Sequence, residues 1–415
     1  MTSKYFIIVI VLFLSQLSFS QIAKEVEPPY YIKTITFKSN TNQSELPILR
    51  LGERLQLEFD ALTGEEPDYY YVIEHYNYDW TPSRLSKPRY LQGFDDQRIV
   101  NYENSFNTYQ IYSHYRLQIP NNQTRLLVSG NYMMKIYDEA GELMFSRKFM
   151  VYEDLAKVGV AVKRSRDVRF IHQKQSVDIG INSLNLRFNN PKQTVNVSII
   201  QNNNLKTAIT GLKPQYTLGN ELIYKYDTES SFWGGNEYLF FENKNVRGAN
   251  VGVQFFDLQD LYYNYLYTDI IRSNRPYTYN PDINGNFLIT ALDTENVDIE
   301  ADYTVIHFSL QHPEIFDKDI HVYGNFNNYA ITEDTKMTFS PDSGFYETRL
   351  LLKQGFYNYK YVMVDKNQNI DEGAISGNFD QTENNYKVLV YYRDLGGLYD
   401  KIVGVGEASS TLITN

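Results

Sequence analysis

Apolar and polar residues alternate with a period of two through much of this chain. Leu55, Leu57 and Phe59 interleave with Gln56 and Glu58, and Val195, Val197 and Ile199 with Asn196 and Ser198. Thr304, Ile306, Phe308 and Leu310 flank Val305, His307 and Ser309 in the same way. Period two marks a strand with one face in a core and the other in water. Convincing helical periodicity over a dozen residues is hard to find. The best candidate, around Leu258 to Ile271, reads as readily as an aromatic strand pair.

A short signature recurs three times. Gly130-Asn131-Tyr132, Gly235-Asn236-Glu237-Tyr238 and Gly355-Phe356-Tyr357 each open an apolar run that ends on an acidic residue, Asp138, Glu242 or Asp365. The glycines are 105 and 120 residues apart, near the length of one β-sandwich. The pattern predicts an all-β chain of three consecutive immunoglobulin-like β-sandwiches. Their expected bounds are 32–152, 157–290 and 302–393, with 292–300 as a linker and a flexible Gly- and Ser-rich tail over 394–415.

The first twenty residues read as an address. Lys4 precedes an apolar run from Tyr5 to Leu14, and Ser18 and Ser20 stand at the −3 and −1 positions of a cleavage site before Gln21. The run is about half the length that spans a bilayer. No later stretch is apolar enough to do so. The expectation is a cleaved signal peptide over 1–20 and a soluble, exported product.

Composition narrows the chemistry. The chain of 415 residues is 42% hydrophobic, with 37 Tyr and 24 Phe but only 2 Trp, a bias that suits pleated strands. Its formal charge of −11 makes nucleic acid and anionic membrane surfaces poor partners. With no cysteine, disulfides, thiolate metal sites and Cys nucleophiles are excluded.

The six histidines (His75, His114, His172, His307, His312 and His321) are scattered without ligand spacing, so the pattern predicts no metal and no cofactor. There is no phosphate loop and no nucleophile elbow. A pair of carboxylates would leave no spacing signature, but nothing else points to an enzyme. Asp282-Ile283-Asn284-Gly285 reads as a turn, without the remaining ligands of a calcium loop. Gly404-Val405-Gly406 reads as linker. Trp80 and Trp233 could each fill a core or anchor a partner.

Two families enter by resemblance. Val322 to Tyr329, Met337, Gly344-Phe345-Tyr346-Glu347 and Gly355 to Tyr361 resemble the glycogen-binding early-set modules. Those modules stack sugar on two Trp and hydrogen-bond it through a Lys and an Asn. Tyr329 falls at the first Trp, Lys360 at the Lys and Asn385 near the Asn, while 364–373 offers no second Trp. That resemblance implies a shared fold, with carbohydrate binding as the alternative function.

From about Tyr30 to Gly397 the chain resembles the plug protein family of the type IX secretion system. The residues that carry this are Pro47 to Glu53, Tyr69 to Trp80, Ser105 to Tyr109, His114 to Leu117, Ser129 to Tyr132, Gly234 to Glu237, Leu352 to Gly355 and Asn384 to Tyr386. The resemblance implies a non-enzymatic periplasmic protein on the inner side of the outer membrane. Its partner would be the large β-barrel translocon, closed by the cap when no cargo is engaged. Trp80, Tyr262, Tyr263, Tyr265 and Tyr267 are the first candidates for that contact.

Overall fold

A computed structural model describes residues 22–39, 45–183, 186–248 and 250–413. The expected signal peptide lies outside the described residues. The described residues form strands, most of them paired antiparallel, in layered sheets, with helices of a single turn. No described helix is long and apolar enough to cross a membrane.

The alternating strands build the cores that their pattern predicts. Ile32–Lys38, Leu55–Ala61, Ser113–Ile119 and Tyr102–Asn104 form one sheet of the first unit. Facing it are Tyr69–Tyr76, Gly130–Asp138 and Leu143–Tyr152. Leu55, Leu57 and Phe59 point between the layers with Tyr69, Tyr71, Phe145 and Phe149. Phe59 stacks on Tyr115 at 5.1 Å and meets Tyr69 and Phe145 edge-on at 5.2 Å. Each such ring contributes about 1.5–3 kcal/mol by leaving water.

The strands group differently from the expected boundaries. The middle core joins Val177, Ile179, Val195, Val197 and Leu222 to Tyr386, Val388, Val390 and Val403 from the far end of the chain. The strand Asn385–Tyr392 pairs along Val195–Gln201, not with the third unit. Conversely Leu239–Glu242 and Phe287–Ile289, expected in the middle unit, pair with Gly355–Asp365, and Tyr262–Leu266 pairs with Tyr303–Gln311 and carries Val253–Leu258 on its other side. The third sandwich is thus inserted between the two halves of the middle one.

The tail expected to be mobile is a strand. Lys401–Ser409 pairs with Asn385–Tyr392, and Ile402 reaches Tyr152 of the first unit. Gly404 and Gly406 are close-packing positions there. A Cβ on Gly404 would stand 2.6 Å from the Ala156 carbonyl oxygen, and one on Gly406 would stand 2.7 Å from Val158 Cγ1. The Lys157–Arg164 strand can lie against this one only because side chains are missing. The bridge from Ile402 to Tyr152 makes one nine-stranded sheet run through the first and middle units.

Candidate functional site

The expected linker is a joint. Within it Asn296 caps the one-turn helix Val297–Glu300 by accepting the Asp298 N–H. Around this turn the first and third units are tied by Phe106 N–H to Ile299 O (2.9 Å), Tyr109 N–H to Asp302 Oδ1 (2.7 Å) and Tyr112 O–H to Ala301 O (2.9 Å). At its centre Lys353 Nζ lies 2.7 Å from Asp60 Oδ2 and 2.7 Å from Asp298 O. Asp60 also accepts from Tyr303 O–H at 2.7 Å and sits 2.6 Å from His114 Nδ1. Asp60 is 0% exposed and Lys353 1%.

Burial alone would raise the Asp60 carboxyl, but Lys353 and His114 outweigh it and hold the group below its usual value. The same burial draws Lys353 down against the pull of Asp60. Its ammonium rests 4.1 Å from the centre of the Tyr112 ring. The middle unit joins the third through Asn204 Nδ2 to Tyr323 O–H at 3.0 Å and Tyr329 O–H to Asn202 O at 3.3 Å. Each pair of units is therefore bonded directly, closing a ring of three contacts.

Between the Ile32–Lys38 strand and the third unit is a cleft of about 580 Å³, lined in part by Lys33, Phe37, Tyr263, Phe287 and Arg349. Beside it the outer face of the Tyr262–Leu266 sheet carries a row of rings. Phe255 stacks on Tyr265 at 4.2 Å, and Tyr265 on His307 at 4.2 Å. His307 is opposite Arg349 on the next strand. The row begins on Val253–Leu258, which among the described residues is the edge strand of its sheet and pairs with Tyr262–Leu266. On this edge Phe255 is 51% exposed and Phe256 40%, with Leu258 also open to solvent. Bare apolar edges are normally avoided in sheets because they recruit other chains.

The sequence-selected residues divide between core and surface. Trp80 is buried, a correction to its candidacy. A left-handed backbone at φ 62° helps turn it inward, Lys148 Nζ lies 4.2 Å over the ring, and Ala23 N–H bonds its carbonyl. Trp233 is the exposed tryptophan, with Lys174 Nζ at 4.3 Å. Tyr262 is buried too, in edge contact with Tyr109 at 5.3 Å. Tyr263 and Tyr265 are half-buried on the outer face and Tyr267 is exposed.

The carbohydrate set does not assemble at a surface. Tyr329 is 2% exposed, and Lys360 is buried in an ion pair with Glu372, so neither meets a sugar. Asn385 is exposed but on a strand of the middle sandwich. Asp282 terminates a hydrogen-bonded turn, accepting from the N–H groups of Tyr238 and Asn284. His75 is a core histidine between Tyr90, Tyr132 and Tyr399. One grouping that spacing did not suggest is Glu58, His114 and Asp298, each offering an oxygen or nitrogen within 4.8 Å of the others.

Residues 32–153 match the family model described as the type 9 secretion system plug protein 1st domain. Among solved structures the chain is similar to a hypothetical protein from Parabacteroides merdae. The two are 33% identical with a TM-score of 0.88, over 93% of this chain and 98% of that one. Dimeric latent PorU from Porphyromonas gingivalis is 6% identical with a TM-score of 0.15, over 92% of this chain and 33% of that one, too distant to inform the fold. None of the curated proteins compared with this chain matches it.

Proposed function

We propose that this chain, whose residues 32–153 match the type 9 secretion system plug protein 1st domain, is the periplasmic cap of that system. It sits under the large outer-membrane barrel and closes the lumen when no cargo is engaged. A barrel of many strands encloses an aqueous passage, which is a leak unless something fills it. Filling it asks for bulk that does not deform, and for a face that docks and lets go.

The observation that supports this most is the closed ring of contacts between the three units. A string of sandwiches on flexible linkers would bend under load, whereas here the shared sheet and the Asp60–Lys353 joint hold the units in one arrangement. The Val253–Leu258 edge, with Phe255 and Phe256 bare, is the face we assign to the barrel contact. Its edge position among the described residues and its exposed rings suit strand addition to a β-rich partner. Tyr265 and Tyr267 lie beside it, and Trp80 and Tyr262 drop out by burial. Burial of Tyr329 and Lys360 likewise removes the support for carbohydrate binding.

Capture from the native envelope tests the reading. Affinity-tagged protein should bring down the type IX barrel and pass through α-glucan resin unretained. Retention on glucan without the barrel would reverse the assignment.

A further inference from the structure

Glu58 and His114 stand on neighbouring strands of the first unit, Leu55–Ala61 and Ser113–Ile119, on one face of the sheet. Asp298 comes from the one-turn helix that leads into the third unit. One donor atom from each falls within 4.8 Å of the other two. Tetrahedral zinc needs donors about 3.4 Å apart, so the three must close by roughly an ångström.

His114 is what distinguishes this group from a solvated acidic cluster. Its ring is buried, and Nδ1 is engaged by Asp60 Oδ1 at 2.6 Å. The other ring nitrogen, Nε2, is buried with no hydrogen-bond partner among the described residues. A carboxylate on Nδ1 fixes the proton there and leaves Nε2 as a lone pair. That is the arrangement in which imidazole serves as a metal ligand, oriented from behind by a carboxylate. An unsatisfied buried acceptor is otherwise a net cost to folding.

The two carboxylates are also held from behind. Glu58 accepts from Thr36 Oγ1 at 3.0 Å, Lys38 Nζ at 2.8 Å and Gln56 Nε2 at 2.6 Å, and Asp298 from Arg116 at 2.7 Å. Such partners steer a ligand oxygen without displacing it. Lys38 and Arg116 also bring positive charge close, which weakens the site relative to one whose carboxylates have uncharged partners. One imidazole with two carboxylates selects a zinc-class ion over calcium, which takes six to eight oxygens.

From this geometry we infer that Glu58, His114 and Asp298 form a zinc-class divalent cation site that staples the first unit to the approach of the third. The test is calorimetric titration of the chelator-treated chain from residue 21 with zinc chloride alone, in a buffer that does not bind metal. One equivalent should bind with micromolar affinity, and the thermal midpoint should rise with zinc concentration. His114→Gln should abolish the saturable heat. Asp298→Asn, at a less buried position, should weaken it at least tenfold with the circular dichroism unchanged. Anomalous scattering at the zinc edge should place the ion between the three side chains.

Equal binding by both variants, anomalous signal elsewhere, or no heat up to millimolar zinc would each overturn the inference. Tighter binding of calcium than of zinc would also overturn it.

Discussion

Replacing Lys353 with methionine removes the charge at the centre of the joint while keeping most of the side-chain volume. Asp60, fully buried, then loses its cation and keeps only His114 and the Tyr303 hydroxyl. Breaking a buried pair from one side typically costs about 3–5 kcal/mol, because the remaining charge is left without compensation. Loss of the ammonium over the Tyr112 ring at 4.1 Å adds to it. The double variant Asp60→Asn/Lys353→Met should regain most of the loss, since no orphan charge remains.

Urea unfolding followed by Tyr fluorescence and by limited proteolysis measures this. The single variant should show an early transition in which first and third units separate. If Lys353→Met costs less than about 1 kcal/mol, the pair is not what holds the joint. If the double variant is as damaged as the single, the cost lies in packing and the charge argument fails.

His75, drawn down to about 4 by burial, gives a pH signature. Its unfolded form takes a proton near pH 6.5. Stability is therefore full above that pH and falls as pH drops towards 4, by about 2–3 kcal/mol. The difference between native protein and His75→Gln in unfolding free energy should shrink over that window, and a constant difference would contradict it. Truncation after Gly397 removes the Lys401–Ser409 strand with Ile402 and Val403 from the shared sheet and the middle core. It should give an aggregating chain, and a melting midpoint within 2 °C of the intact protein, about what 1 kcal/mol would cause in a chain this size, would refute that role. Phe255→Ser with Phe256→Ser should lower affinity for the barrel at least tenfold in a surface-binding assay and leave the melting curve in place. Unchanged affinity would move the contact elsewhere.

Period-two alternation was enough to place many strands, because a half-buried sheet imposes it on sequence directly. Leu57, Phe59, Val197, Ile199, Ile306 and Leu310 all point into cores. Pairing between strands was another matter. Asn385–Tyr392 looks like any buried strand, and only its register with Val195–Gln201 shows that it returns to the middle sandwich. The Gly404 and Gly406 pattern suggested a linker because composition cannot tell a missing side chain that frees the backbone from one that lets a neighbour approach.

The joint was hidden for a related reason. Asp60 and Lys353 are 293 residues apart, and each occupies a polar position that alternation assigns to solvent. Tertiary contact turns those wet faces inward. The same holds for Glu58, His114 and Asp298, which no spacing rule connects. Trp80 was ambiguous because a left-handed turn decides which way its ring faces.

Occlusion of the barrel lumen is the proposed function, and single-channel conductance measures it. The purified type IX barrel, inserted in a planar bilayer without cargo, should carry a large steady current. Adding this protein to the periplasmic side should close the channel in discrete steps, reversibly, at concentrations near its affinity for the barrel. Full conductance in the presence of saturating, demonstrably bound protein would contradict the account.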